Sequence, residues 1–393
     1  MFIMKFDMLI RIKREIMKKL IPVLMLFAAV LMPLACAKPF GSPASPIPPT
    51  ATPTFTSTST PEWHTLGSAA VTTGPVTFFS FAVANSTPVI AATNEYTSGA
   101  FATAYYGGYW NIQGSLTGKW TMAKPSLVMN GSTPCVAFSD ATDSNMASVL
   151  SYNGTSWTYV GGAGFSPGIV SGLSLTAYNG TLYLAYSDAV NGGKATVMTY
   201  NGTAWVNVGA ADFSAGAISN ASLVDYNGTL YLAYEDNVNN DEAVVMTYNG
   251  TGWVNVGSAD FSVGGADWIS LAVSSGTPYV AFGDAVNGYK ATVMSYSGGV
   301  WSNVGAADFS AGMALGTSLV VNNGMPYVAF SDAGNGYKAA VMAYSGGTWS
   351  HLGSTGLSIS STYGTDLVLS NNTLYLSYAD DGNGDNVTVE YFQ

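Results

Sequence analysis

After Arg14 the sequence contains no arginine. That absence excludes arginine-built anion sites, including a triad of the sialidase kind. Only six lysines face twenty-one acids beyond residue 36. Nucleic acid and sulphated polymers are excluded as partners, because binding them depends on clustered cations. Histidine and cysteine are nearly as scarce, with two of each. His64 and His351 cannot build a His-rich metal centre, and no Ser-His-Asp set, Cys-His pair or phosphate loop is recognisable. No catalytic residue is assigned, and the chain is expected to bind rather than to turn over a substrate. Cys135 stands alone in the body of the chain, so no disulfide framework forms there. It replaces a recurring tyrosine and is expected as a buried free thiol. Charged residues are only 9% of the chain, against a usual quarter.

What is present is a repeat. Asp140, Asp188, Asp236, Asp284, Asp332 and Asp380 are evenly spaced at forty-eight residues. Trp157, Trp205, Trp253, Trp301 and Trp349 keep the same interval, with Trp110 and Trp63 each one residue short of it. A period of this length marks a propeller or solenoid. Each unit carries four short apolar runs separated by Gly-rich and Asn-rich turns, which reads as four strands. Pairs such as Asn179-Gly180 and Asn201-Gly202 supply the positive φ of two-residue hairpins. Residues 63 to 393 are therefore expected to be all-β, a seven-bladed β-propeller of four-stranded antiparallel blades. The chain opens on a lone fourth strand at Trp63 and ends after a third strand, Val387 to Phe392. The N-terminal strand is expected to complete the last blade and close the ring, which removes the ragged edges.

Residues 1 to 36 read as an export signal. Met17-Lys18-Lys19 precedes an apolar run from Leu20 to Leu34 and then Ala35-Cys36, the order of charge, apolar core and small residue that export signals share. Leu34-Ala35-Cys36 resembles a bacterial lipoprotein signal, although Pro33 stands where that family prefers an aliphatic residue. The resemblance implies lipidation of Cys36, membrane attachment only through that anchor, and a place in the bacterial cell envelope, at the outer surface or in the periplasm. An uncleaved signal anchor is the alternative, with an apolar run shorter than the roughly 20 residues of a comfortable span. Residues 37 to 62 are rich in Pro, Ser and Thr and read as an extended stalk.

The Tyr-then-Trp ending of the blades, as in Tyr200 to Trp205 and Tyr248 to Trp253, resembles kelch and related lectin propellers. The double glycine of kelch blades is missing, since Ser187-Asp188 and Ser331-Asp332 occupy that place. The resemblance implies fold rather than activity.

The repeating aspartates read first as turn caps, with Lys194, Lys290 and Lys338 within reach of Asp188, Asp284 and Asp332. Asp212, Asp260 and Asp308 are expected to make the same rim acidic. Two loops lack the lysine and carry more oxygen ligands. Asp236 and Asp241, and Asp381, Asn383 and Asp385, are candidate calcium ligands, because calcium takes six to eight oxygens. No other cofactor is expected.

Departures from the repeat point elsewhere. Where other blades carry Ser171-Gly172, Ser219-Asn220, Leu315-Gly316, Tyr363-Gly364 and Ala123-Lys124, one reads Asp267-Trp268. These positions are expected at the mouth of the central channel. Asp267, Trp268, Asn220 and Tyr363 are candidate ligand residues, with Trp120 from a lengthened connection. A tryptophan beside a carboxylate suits sugar stacking, while a plug in the channel is the other reading of Trp268. The expected partner is a glycan or a protein, met by a monomeric propeller through the acidic loop face or through repeated pockets between blades. Near-identical blades favour multivalency. A structural or adhesive envelope protein is the alternative.

Overall fold

The computed structural model describes residues 61–94, 100–116 and 124–393. The leader, the stalk up to residue 60, Cys36 and Trp120 lie outside the described residues. Seven inner strands open blades 1 to 7: Val76–Ala84, Ser126–Asn130, Val170–Tyr178, Ile218–Tyr226, Ala266–Ser274, Ala314–Asn322 and Thr362–Ser370. Each begins a four-stranded antiparallel sheet, and no α-helix occurs among the described residues. The seventh sheet is completed by Trp63–Thr65, whose residues pair with the last strand as Trp63 with Phe392 and Thr65 with Glu390. The expected ring closure is therefore present.

The periodic tryptophans hold blade to blade. Apart from Trp157, which donates to Gln113 in the last strand of blade 1, each indole N–H donates to a backbone carbonyl in the connection that leads into its own blade, as Trp205 does to Val160 at 2.8 Å and Trp301 to Val256 at 2.7 Å. The series ends with Trp63 donating to Leu352 at 2.7 Å, the bond that closes the ring. In blades 3 to 6 a phenylalanine from that connection stacks on the indole, for example Phe261 on Trp301 at 4.1 Å and 8°. A second ring lies nearer the axis. Ser126, Ser174, Ser222, Ser270 and Ser318 each accept the backbone amide of the following inner strand at 2.8 to 3.1 Å, as in Leu175 to Ser126. At the closure Asp366 takes this role and accepts the amide of Phe81 at 3.1 Å. The apolar core is distributed between sheets, for example Val76, Phe79 and Ile90 of blade 1 against Ala379 and Val387 of blade 7. Cys135 is a buried free thiol in this packing.

The Asn-Gly pairs divide into two kinds. Asn179-Gly180 and Asn227-Gly228 have both residues at positive φ, as a two-residue hairpin requires. The outer pairs do not. Between Tyr200 and Trp205 four residues form the loop, and the Asn201 carboxamide accepts the amides of Thr203 and Ala204 at 3.0 Å each. A side-chain turn there replaces the expected two-residue hairpin, because asparagine can mimic a backbone acceptor two residues upstream.

Candidate functional site

The second strand of blades 2 to 7 ends at the repeating aspartate, and the loop that follows lies on the face that carries the interblade connections. Asp188 caps its turn by accepting the Val190 amide at 3.0 Å, and Asp332 accepts the amides of Gly334 and Gly312. Asn191, Asn239 and Asn287 then donate to Asp212, Asp260 and Asp308 at 2.6, 2.8 and 2.7 Å. Burial, then the neighbouring aspartate, raises the carboxyl pKa of Asp212, Asp260 and Asp308. The rim is acidic as expected, and most of its carboxylates are engaged within it. The lysines differ from expectation. Lys194 pairs with Asp188 in the strand ladder, yet the side chains make no ion pair among the described residues. The aspartate turns inward to its own loop, and the lysine's field acts on Asp212 instead.

The candidate calcium residues take similar structural parts. Asp236 accepts the amide of Val238 and the carboxamide of Asn239 at 3.0 and 3.1 Å. Asp381 accepts from Ser361 at 3.3 Å, Asn383 donates to the carbonyl of Ala69, and Asp385 occupies a left-handed turn position. Among the described residues no three His, Cys, Asp or Glu side chains are grouped so as to hold a metal ion.

The inner strands of blades 3 to 7 share a bulge at the positions singled out from the sequence. In blade 5 the register jumps between Asp267 and Ser270, so that Trp268 and Ile269 oppose a single residue. Gly172, Asn220, Trp268, Gly316 and Gly364 all have φ between 48° and 87°. A glycine adopts this left-handed conformation freely, and the bulge type uses it for that reason. Neighbouring bulges lie side by side: a methyl group on Gly172 would sit 3.7 Å from the Asn220 amide, and one on Gly316 3.7 Å from Gly364. Trp268 at φ 57° is a bulky residue in backbone that costs on the order of 1 to 3 kcal/mol.

The environment of Trp268 is built from several departures at once. Its half-buried ring leans on its own blade, over Gly283, where other blades carry serine, threonine, alanine or glutamate. It meets Tyr289 edge-on at 5.8 Å, and Thr317 of blade 6 donates to its carbonyl. Asp267 beside it is only 9% exposed. Burial, then Asp241, pushes its carboxyl up to about 6. Glu235, which ends the second strand of blade 4 just before Asp236, is 3% exposed. Asn220 donates to it at 2.5 Å. Burial dominates its environment, with Asp267 and Asp241 adding to it, and pushes its carboxyl up to about 8 against the bonds from Asn220 and the Trp268 amide. The candidates Asn220, Asp267 and Trp268 thus come together with Asp241 around one carboxylate that the sequence did not single out. Tyr363 is apart, donating to the Val76 carbonyl at 2.8 Å. A second charged feature near the axis is the ion pair of Lys124 with Asp366 at 2.6 Å, joining blades 2 and 7.

Solved structures share this fold. The chain is similar to the SapL1 lectin in complex with alpha methyl fucoside, at 15% identity and a TM-score of 0.50, covering 74% of this chain and 99% of that one. It is also similar to the polysaccharide lyase Uly1, at 11% identity and a TM-score of 0.54, covering 82% and 90%. A scan of protein-family models finds no match, and neither does a search of curated proteins. At these identities the likeness establishes the seven-bladed propeller and not an activity. Propellers of this shape include both a lectin and an enzyme.

Proposed function

We propose that this chain is an envelope-tethered carbohydrate-binding propeller whose ligand site is the channel mouth at the junction of blades 4 and 5. The observation that carries the reading is Trp268: a partly buried indole held in left-handed backbone, next to the buried carboxylate of Asp267. An indole face stacks on the apolar side of a pyranose while a carboxylate accepts its hydroxyls. The lean of the ring onto its own blade favours a platform over a plug. Fold-level likeness to a fucoside-bound lectin and to a polysaccharide lyase supports carbohydrate as the ligand class. Multivalent recognition through pockets between blades receives less support, because the periodic tryptophans are spent on interblade packing.

An enzymatic reading rests on one observation, the proximity of Glu235 to Asp267, since glycoside chemistry uses paired carboxyl groups. Its requirement is turnover that Asp267→Asn abolishes.

A glycan array probed with the full chain tests the proposal, run with calcium and again with chelator. Saturable binding that Trp268→Ala or Asp267→Asn removes is the expected result. Binding indifferent to both variants moves the site to the repeated pockets. Dependence on calcium implicates the Asp236 or Asp381 loop, and silence throughout leaves the structural or adhesive role.

A further inference from the structure

The Asp267 carboxylate has a property that its counterparts on the rim lack. The repeating aspartates cap turns, and Asp212, Asp260 and Asp308 are bound by asparagines. Among the described residues the side chain of Asp267 accepts no hydrogen bond and pairs with no cation, although it is more than nine-tenths buried. One oxygen each of Asp188 and Asp260 is buried without a partner, whereas the Asp267 oxygens are not sealed from solvent. A largely buried carboxylate that no protein donor holds is open to a donor brought by a ligand. The groups that face it are Glu235 from the second strand of blade 4, Asp241 from the turn after that strand, and Tyr289 from the turn of blade 5. Two of these three groups are acids, as Asp267 itself is. Lys290, next to Tyr289, has its field on Asp308 instead. The acids are not arranged as metal ligands.

Like charges brought together in a largely buried site suppress one another's ionisation, and a cation placed among them relieves the repulsion and supplies a donor that the protein does not. The cation must arrive on something that also fits Trp268. We infer that the site prefers an amine-bearing sugar, with the ammonium group on Asp267 and the pyranose ring on Trp268. The inference rests on the proposed glycan reading and sharpens it from sugar in general to amino sugar. An ammonium group supplies three donors to acids that have spare acceptor capacity. An acetylated nitrogen supplies one donor, no charge, and an added acyl group to accommodate. The complete lack of arginine in the domain agrees with a site that does not seek anions.

Calorimetric titration of the full chain at pH 7 with a glucosamine tetramer and with its fully N-acetylated counterpart tests this, with pentalysine as a third titrant. The amine tetramer is expected to bind at least about tenfold more tightly, a difference typical of one buried charge-assisted bond. The preference should shrink to about one in Asp267→Asn, with thermal unfolding used to confirm that the variant is folded. A second measurement needs no variant: at pH 9.5 a sugar amine, ordinarily titrating near the α-amino value of about 8, is neutral and the wild-type preference should vanish. Equal or tighter binding of the acetylated tetramer overturns the inference and leaves the glycan reading standing. Binding of pentalysine with neither sugar overturns both and points to a basic peptide. Failure of all three titrants, with a silent glycan array, also overturns both.

Discussion

A methyl group on Gly283 would meet the ring of Trp268 at 3.2 Å. The same group would lie 3.1 and 3.3 Å from the carbonyls of Tyr289 and Ala314. In blade 6 the equivalent residue, Ser331, donates to the matching carbonyls of Tyr337 and Thr362 at 2.8 and 3.0 Å. Glycine at 283 therefore gives up the hydroxyl bond that Ser139, Ser187 and Ser331 make to their own turns and makes room for the indole instead.

Gly283→Ser is accordingly expected to separate binding from folding. The serine can take the carbonyl bonds found in blade 6, so stability should change by less than about 1 kcal/mol. The displaced indole should weaken glycan binding by about tenfold or more. Denaturant unfolding and a binding titration on the same preparation check both halves. Unchanged binding would remove Trp268 from the site.

Glu235 makes stability depend on pH. An unfolded glutamate ionises near 4.5, while this one holds its proton to about 8. Between those values the unfolded chain has lost more protons, so the stability contribution is full at acid pH and falls as pH rises through 8. Glu235→Gln should flatten that slope and stabilise the protein at pH 8.5 by roughly 2 to 5 kcal/mol, since each tenfold change in proton affinity is worth about 1.4 kcal/mol. Unfolding curves at pH 4.5 and 8.5 check it, and parallel slopes in both proteins would contradict it.

Glu390 raises the same issue at the ring closure. The corresponding residues of blades 3 to 6 are Met198, Met246, Met294 and Met342, and Tyr378 donates to Glu390 at 3.0 Å where Tyr186 donates to the Met198 sulfur. One Glu390 oxygen is buried without a partner, and burial pushes the carboxyl up to about 7. Its contribution is again lost as pH climbs from 4.5 through 7. Glu390→Met should therefore stabilise the closed ring at pH 7.5 by about 1 to 3 kcal/mol and remove its share of the pH dependence. A lower thermal midpoint at pH 7.5 would contradict this.

Trp63 carries the closure itself, through its bond to Leu352 and its ring contact with Phe392 at 5.3 Å. Trp63→Ala should cost about 3 to 5 kcal/mol, as large-to-small changes in packed interiors do. Loss of cooperative unfolding in a denaturant series is the signature of an opened ring.

The architecture was legible in the sequence because its determinants recur. A tryptophan that holds its blade to the one before and an aspartate that caps its own turn recur at a fixed interval, the aspartate in all blades but the first, so period alone reveals blades, strand count and closure. Asp267, Trp268 and Asn220 were legible as departures from that period. Glu235 was not recognised, although the residue before the repeating aspartate reads Ser139, Ser187, Glu235, Gly283, Ser331 and Ala379. Comparison at that position finds both the buried acid and the glycine beneath the indole. The bulge was invisible because a one-residue change of register leaves no mark on an apolar strand pattern. The lysines were misjudged for a related reason: ladder pairing places Lys194 across from Asp188, but sequence spacing does not say that the carboxylate faces inward.

The central claim is that one site, not a ring of repeated sites, binds sugar. Calorimetric stoichiometry of the full chain with its best array ligand tests that most directly. The account predicts one ligand per chain, lost in Trp268→Ala. Several equivalent ligands per chain, retained in that variant, would contradict it.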